Sequence, residues 1–162
     1  PTFGEAIKPI RSDGVIQLFG TAHTGPASIH RVTDDLEEAV SASDLMVMSI
    51  PAYGHANWAR AIAPHVRDGQ TLVMLPATLG SLEVVRTLRE EGAAPITIAE
   101  ADTAPYVCRK TQPNGATIWG ASKCSTAGWC SVAAWRGRRG GTRARCAWRT
   151  SARAAASTCA TC

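Results

Sequence analysis

Residues 99 to 110 read AEADTAPYVCRK and bring Glu100, Thr103, Tyr106, Cys108 and Arg109 within ten positions. Each of these side chains has a chemistry to offer. Glu100 could act as an acid or base, or hold the loop. Cys108 could be a nucleophile, a ligand contact or a small packing residue, since free cysteines usually behave as small apolar groups. Arg109 could clamp a carboxylate or pair with Glu100 or Asp102. The four histidines are scattered. His55 follows an apolar run and is a ligand-side candidate or a surface residue at a helix start; His30 and His65 read as solvent-facing, and His23 sits in a turn. No set of residues spaced for catalysis or for a metal stands out.

These residues must be positioned by the elements around them. Between Leu45 and Ala99, short apolar runs alternate with segments of helical spacing, which is the pattern of successive β-α units on a parallel sheet. LMVMSI (45 to 50) reads as a buried strand ended by Pro51. HANWARAIAPHV (55 to 66) places Trp58, Ala59, Ile62 and Ala63 on one helix face. TLVML (71 to 75) is the next strand. SLEVVRTLREEG (81 to 92) is a helix with Leu82, Val85 and Leu88 in one stripe, Ser81 as N-cap and Gly92 as stop, and PITIA (95 to 99) is a third strand. Upstream, TDDLEEAVSASD (33 to 44) is a short helix, and GVIQLFG (14 to 20) and ASIHRV (27 to 32) are strands joined by a turn. Downstream, Tyr106 to Lys110 and Ala116 to Trp119 flank PNG, a hairpin signal. The fold class expected is α/β, a partial Rossmann-like, mostly parallel sheet with flanking helices. Such sheets bind ligands beyond the carboxyl ends of their strands. Three places are therefore candidates: Ile50, Pro51 and Ala52 after the first strand, Thr78 after the second, and the stretch from Glu100 to Arg109 after the third.

A dinucleotide site of the usual kind needs G-x-G-x-x-G between a strand and a helix, because only glycine lets the backbone approach a pyrophosphate at the helix N-terminus. The nearest approach, LFGTAHTG (18 to 25), is mis-spaced and reads as a turn, and GRRGG (137 to 141) follows no strand. GxxxxGK[ST] is absent, which excludes nucleotide hydrolysis by that route.

From about Phe3 to Gly120 the sequence resembles the N-terminal domain of the opine (octopine-type) dehydrogenases. GVIQLFG, VTDDLEEAVSASDL, IPAYGH, DGQTLVMLPA and above all EADTAPYVCR carry the resemblance, the last being similar to that family's Glu-x-x-x-x-Pro-Tyr-x-x-Arg segment. The resemblance implies NAD or NADP as cofactor, and as substrates an α-keto acid and an amino acid joined by reductive condensation. It places Ile50, Pro51, Ala52, Thr103 and Cys108 beside the nicotinamide nucleotide and Thr78 near the keto acid. It also implies that the glycine fingerprint lies upstream of Pro1 and that the helical domain carrying the catalytic His has no counterpart here. No catalytic residue is assigned within the chain. On its own it is expected to bind NADH weakly and to be inactive. Glycerol-3-phosphate and ketopantoate reductases are the competing dehydrogenase types.

Composition changes after residue 120. The first 120 residues hold 9 basic and all 13 acidic residues, and 121 to 162 hold 8 basic and no acidic ones. Five of the six cysteines lie in the second segment, leaving one in the first, as suits a reducing, cytoplasmic setting. The segment from 120 to 162 has 7 Arg, 3 Trp and 5 Cys but no Leu, Ile, Phe or Met, so it cannot build an ordinary core. Residues 1 to 120 are thus expected to be a partial NAD(P)-binding domain and 121 to 162 a basic tail, disordered or translated out of frame. A nucleic-acid-binding arm and a cysteine zinc site are the alternatives, neither expected. No run approaches the roughly 18 apolar residues of a membrane helix.

Overall fold

The structure is a computed structural model and describes residues 3–77, 79–101 and 103–121. The chain divides into two compact units. Residues 36 to 104 form one and the described residues of 1 to 35 and 105 to 123 the other. Among the described residues, three of the five strand pairings are parallel. The α/β class expected from sequence is what the chain adopts.

The first chain segment opens with helix α1 (Phe3–Asp13), followed by strands β1 (Val15–Gly20) and β2 (Gly25–Ser28). With β6 (Tyr106–Gln112) and β7 (Gly115–Ala121) they make a four-stranded sheet in the order β2-β1-β7-β6. β1 is antiparallel to β2 and parallel to β7, and β6 and β7 form the hairpin expected around PNG. Asn114 in that turn donates its side-chain amide to Asp13 Oδ2 at 2.6 Å and accepts the Gln17 N–H at 2.8 Å. LFGTAHTG is the connection between β1 and β2. Gly20 holds φ 111°, and a Cβ there would overlap the Ile118 carbonyl of the neighbouring strand, so glycine is what allows β1 and β7 to approach at this point.

The unit from 36 to 104 runs α2 (Leu36–Ser41), β3 (Leu45–Met48), a 3-10 turn (Ala52–Gly54), α3 (His55–Ile62), β4 (Thr71–Met74), α4 (Gly80–Glu90) and β5 (Thr97–Glu100). Its sheet is all parallel, in the order β3-β4-β5. Leu72, Met74 and Ile98 on one face are buried in a cluster with Ala59, Ile62, Ala63, Val84 and Leu88. Burying each of the larger side chains contributes about 1.5–3 kcal/mol. LMVMSI is not buried along its whole length. Met46 and Met48 join the core, whereas Leu45 and Val47 on the other face are 58% and 61% exposed, because the helices cover one side only.

The helix faces also differ from expectation. On α3 the buried stripe is His55, Ala59 and Ile62, and Trp58 is 40% exposed. On α4 it is Ser81, Val84, Thr87 and Leu88, and Leu82 is 53% exposed. Apolar residues surround more of each helix than the sheet can cover, so contact geometry selects among them. Gln70, within the turn RDGQ, is buried. Its side-chain amide donates to the carbonyls of Val40 and Ser43, both at 2.8 Å, and its Oε1 accepts the Arg67 N–H at 2.7 Å, tying the end of α2 to the start of β4. Among the described residues no helix is long and apolar enough to cross a membrane.

Candidate functional site

Met48, Met74 and Glu100 lie level across the parallel sheet, so its three carboxyl ends share one edge. The placement of Ile50, Leu75 and Ala99 at a common edge, expected from the β-α pattern, follows from that register. Main-chain bonds carry the pairing past the strands. The Leu75 N–H donates to Met48 at 2.8 Å, that of Ala101 to Met74 at 3.0 Å, and that of Ala77 to Ala101 at 2.9 Å. The loop after β4 is thus fastened to both of its neighbours.

The loop after β3 carries Ile50, half-buried, then Pro51 and Ala52, both exposed. Pro51 has extended backbone (φ −60°, ψ 147°) and ends the run before the 3-10 turn that feeds α3. Tyr53 in that turn is 89% exposed. Beyond β5, Thr103 is exposed. Thr78 lies outside the described residues, as do Asp102 and the segment from 122 onward. Cys108 is on β6 of the other unit. It is a free, exposed thiol, so the packing role open to it in the sequence is not the one it has.

Two features of this edge were not legible in the sequence. Helix α4 starts at Gly80, one residue before Ser81, and its N-cap position is Leu79, in the left-handed region at φ 69° with no side-chain cap. Ser81 is therefore not the N-cap. The acceptor comes from β5: Glu100 Oε1 takes the Leu79 N–H at 3.1 Å and Oε2 the Ser81 N–H at 2.9 Å. Only 5% exposed, Glu100 has the structural role of the two open to it. The second feature is His55, which starts α3 but is 2% exposed rather than a surface residue, and whose Nδ1 is buried without a hydrogen-bond partner. Its ring lies against Gly80, where a Cβ would overlap it. The one sequence signal was the glycine in LGS, placed where a helix begins.

At this edge Ile50 is half-buried and Pro51, Ala52 and Thr103 are exposed. Parallel β-α units with aligned carboxyl ends and two helix starts beside them define a Rossmann-like α/β fold.

No family model matches the chain. Over 115 residues it is 35% identical to the opine dehydrogenase of Arthrobacter sp. (strain 1C), covering 70% of this chain and 32% of that protein. It is 32% identical over 78 residues to the octopine dehydrogenase of Pecten maximus, covering 48% of this chain and 20% of that one. Among solved structures, octopine dehydrogenase with NADH and L-arginine superposes with a TM-score of 0.64 at 21% identity, covering 74% of this chain and 32% of the other. A 2-dehydropantoate 2-reductase from Geobacter metallireducens GS-15 gives 0.50 at 20% identity, covering 65% and 33%. At those identities the two structures speak to the fold alone. The sequence relationship is more specific: over 70% of its length the chain is similar to an opine dehydrogenase, and it spans about a third or less of the length of the curated relatives it matches.

Proposed function

We propose that the chain contributes the nicotinamide side of an NAD(P)-dependent oxidoreductase of opine-dehydrogenase type, acting on CH–NH groups. The reaction is the reductive condensation of an α-keto acid with the amino group of an amino acid. The observation that carries this reading is the 35% identity over 115 residues to an opine dehydrogenase. The aligned edge of the parallel sheet supports it. When bound, the reduced nicotinamide supplies a hydride for the imine carbon. On this reading Ile50, Pro51 and Ala52 would pack against the nucleotide, and Thr103 would contact its nicotinamide side. On the same resemblance Thr78 meets the keto acid. Residues 1 to 120 are the cofactor-binding part and 121 to 162 a separate basic segment. A cytoplasmic setting is part of the same proposal.

The test is a titration of the isotope-labelled 162-residue chain with NADH and with NADPH, read by amide chemical shifts. Millimolar nucleotide should move the Ala52 and Thr103 amides, and Thr103→Val should reduce the Thr103 response and weaken binding. Saturating nucleotide that leaves both amides unmoved would overturn the assignment.

A further inference from the structure

We propose that Glu100 is a positioning residue: by capping α4 from the end of β5, its carboxylate holds together the main chain that leads into α4, at Ala77 and Leu79, and the main chain that leaves β5 at Ala101. The bearing of this on a ligand rests on the cofactor reading above.

Both oxygens of Glu100 are engaged by main-chain N–H groups, at Leu79 and Ser81, and the side chain is buried. A carboxylate at that depth is unfavourable unless its charge is met. The two N–H donors and the positive end of the eleven-residue helix α4 meet it. The arrangement fixes an otherwise disfavoured backbone: Leu79 is held in the left-handed region, where its N–H reaches Glu100. Gly80, between the two donors, is confined by the buried His55 ring. The turn is clamped at Leu79 and Ser81 by one side chain and at Gly80 by another.

The same stretch of β5 holds the preceding loop. Ala101 donates its N–H to Met74 and accepts the N–H of Ala77, so residues 100 and 101 together fasten Met74, Ala77, Leu79 and Ser81. Thr103 lies two residues further along. With both oxygens occupied inside the fold, Glu100 acts through the loops and does not touch the ligand.

Amide hydrogen exchange on the full chain tests this with Glu100→Gln, which keeps size and loses charge, and Glu100→Ala. In both, the Leu79, Ser81, Ala77 and Ala101 amides should exchange together, about tenfold faster or more. Leu72, Met74 and Leu88 should keep their protection. Sodium formate should slow the exchange again in Glu100→Ala by returning a carboxylate to the vacated space, and leave Glu100→Gln unchanged. Acceleration at Leu79 and Ser81 alone would reduce Glu100 to a helix cap and overturn the proposal. So would loss of protection throughout β4, which would make it a general stability residue. In the NADH titration, Glu100→Gln should lose most of the Thr103 shift seen in the parent chain, and an undiminished shift would overturn the proposal. Silence at Thr103 in the parent chain would instead count against the cofactor reading, and the exchange pattern would still decide the role of Glu100.

Discussion

Replacing Gln70 by leucine tests how much of the unit from 36 to 104 depends on one polar side chain in its core. The exchange keeps roughly the same volume and removes three hydrogen bonds, to the Val40 and Ser43 carbonyls and from the Arg67 N–H. The bond to Val40 is buried and the other two are partly buried. Leaving a buried carbonyl unpaired costs about 1–3 kcal/mol, and each of the other two bonds contributes about 0.5–1.5 kcal/mol. Added apolar burial from leucine returns about 1 kcal/mol. The net loss should therefore be about 1–5 kcal/mol. Urea unfolding of the two proteins, followed by far-ultraviolet circular dichroism, measures it as a lower midpoint at unchanged slope. A loss below about 0.5 kcal/mol, within the range of ordinary surface substitutions, would refute the reasoning. Gln70→Glu sharpens the test, because it keeps an acceptor for Arg67 but sets an oxygen against two carbonyls. The folded-state pKa of that carboxyl would lie above its unfolded value. The variant should then be most stable at low pH and lose stability as pH rises through the ordinary glutamate value near ~4.3 toward the folded one.

Gly80→Ala places a Cβ into the His55 ring and should cost about 1–3 kcal/mol, as core overpacking does. Adding His55→Ala should relieve much of that cost, and strict additivity of the two substitutions in thermal unfolding would show that the residues are not in contact. At the end of α1, the Arg11 guanidinium, 2.9 Å from Asp34, holds that carboxyl below its ordinary range by hydrogen bonding and charge. A carboxyl with a depressed folded pKa contributes stability above its unfolded pKa and loses it as pH falls through the folded value. Arg11→Gln should accordingly shift the Asp34 titration upward in carbon-detected NMR, and an unmoved titration would rule out the pairing in solution.

The β-α order from Leu45 to Glu100 was readable because it depends on local periodicity. Apolar runs too short for helices, ended by Pro51 and Pro76, become strands, and the PNG hairpin needs only its turn residues. The shared edge of the three strands comes from the handedness of their crossovers, which is the same for nearly all such units. Sequence likewise located the loop at 50 to 52 and the stretch beginning at Glu100.

What each side chain does at that edge was decided by contacts between distant parts of the chain. Trp58 and Ala59 look equally suited to a core, and only the position of the sheet sends one outward and the other inward. Ser81 has the side chain of an N-cap, yet the acceptor is a carboxylate 19 residues further on, brought there by a parallel pairing. Burial of His55 depends on a glycine in the next helix. In sequence, Glu100 could be an acid, a base or a support. Capping α4 consumes both of its oxygens, and no local pattern records that because the donors belong to another element. Sequence determined the order of elements from Leu45 to Glu100 and the edge at which they end, since those depend on the backbone and its periodicity. Tertiary structure decided which polar groups there are already partnered, since a hydrogen bond is defined by distance in space.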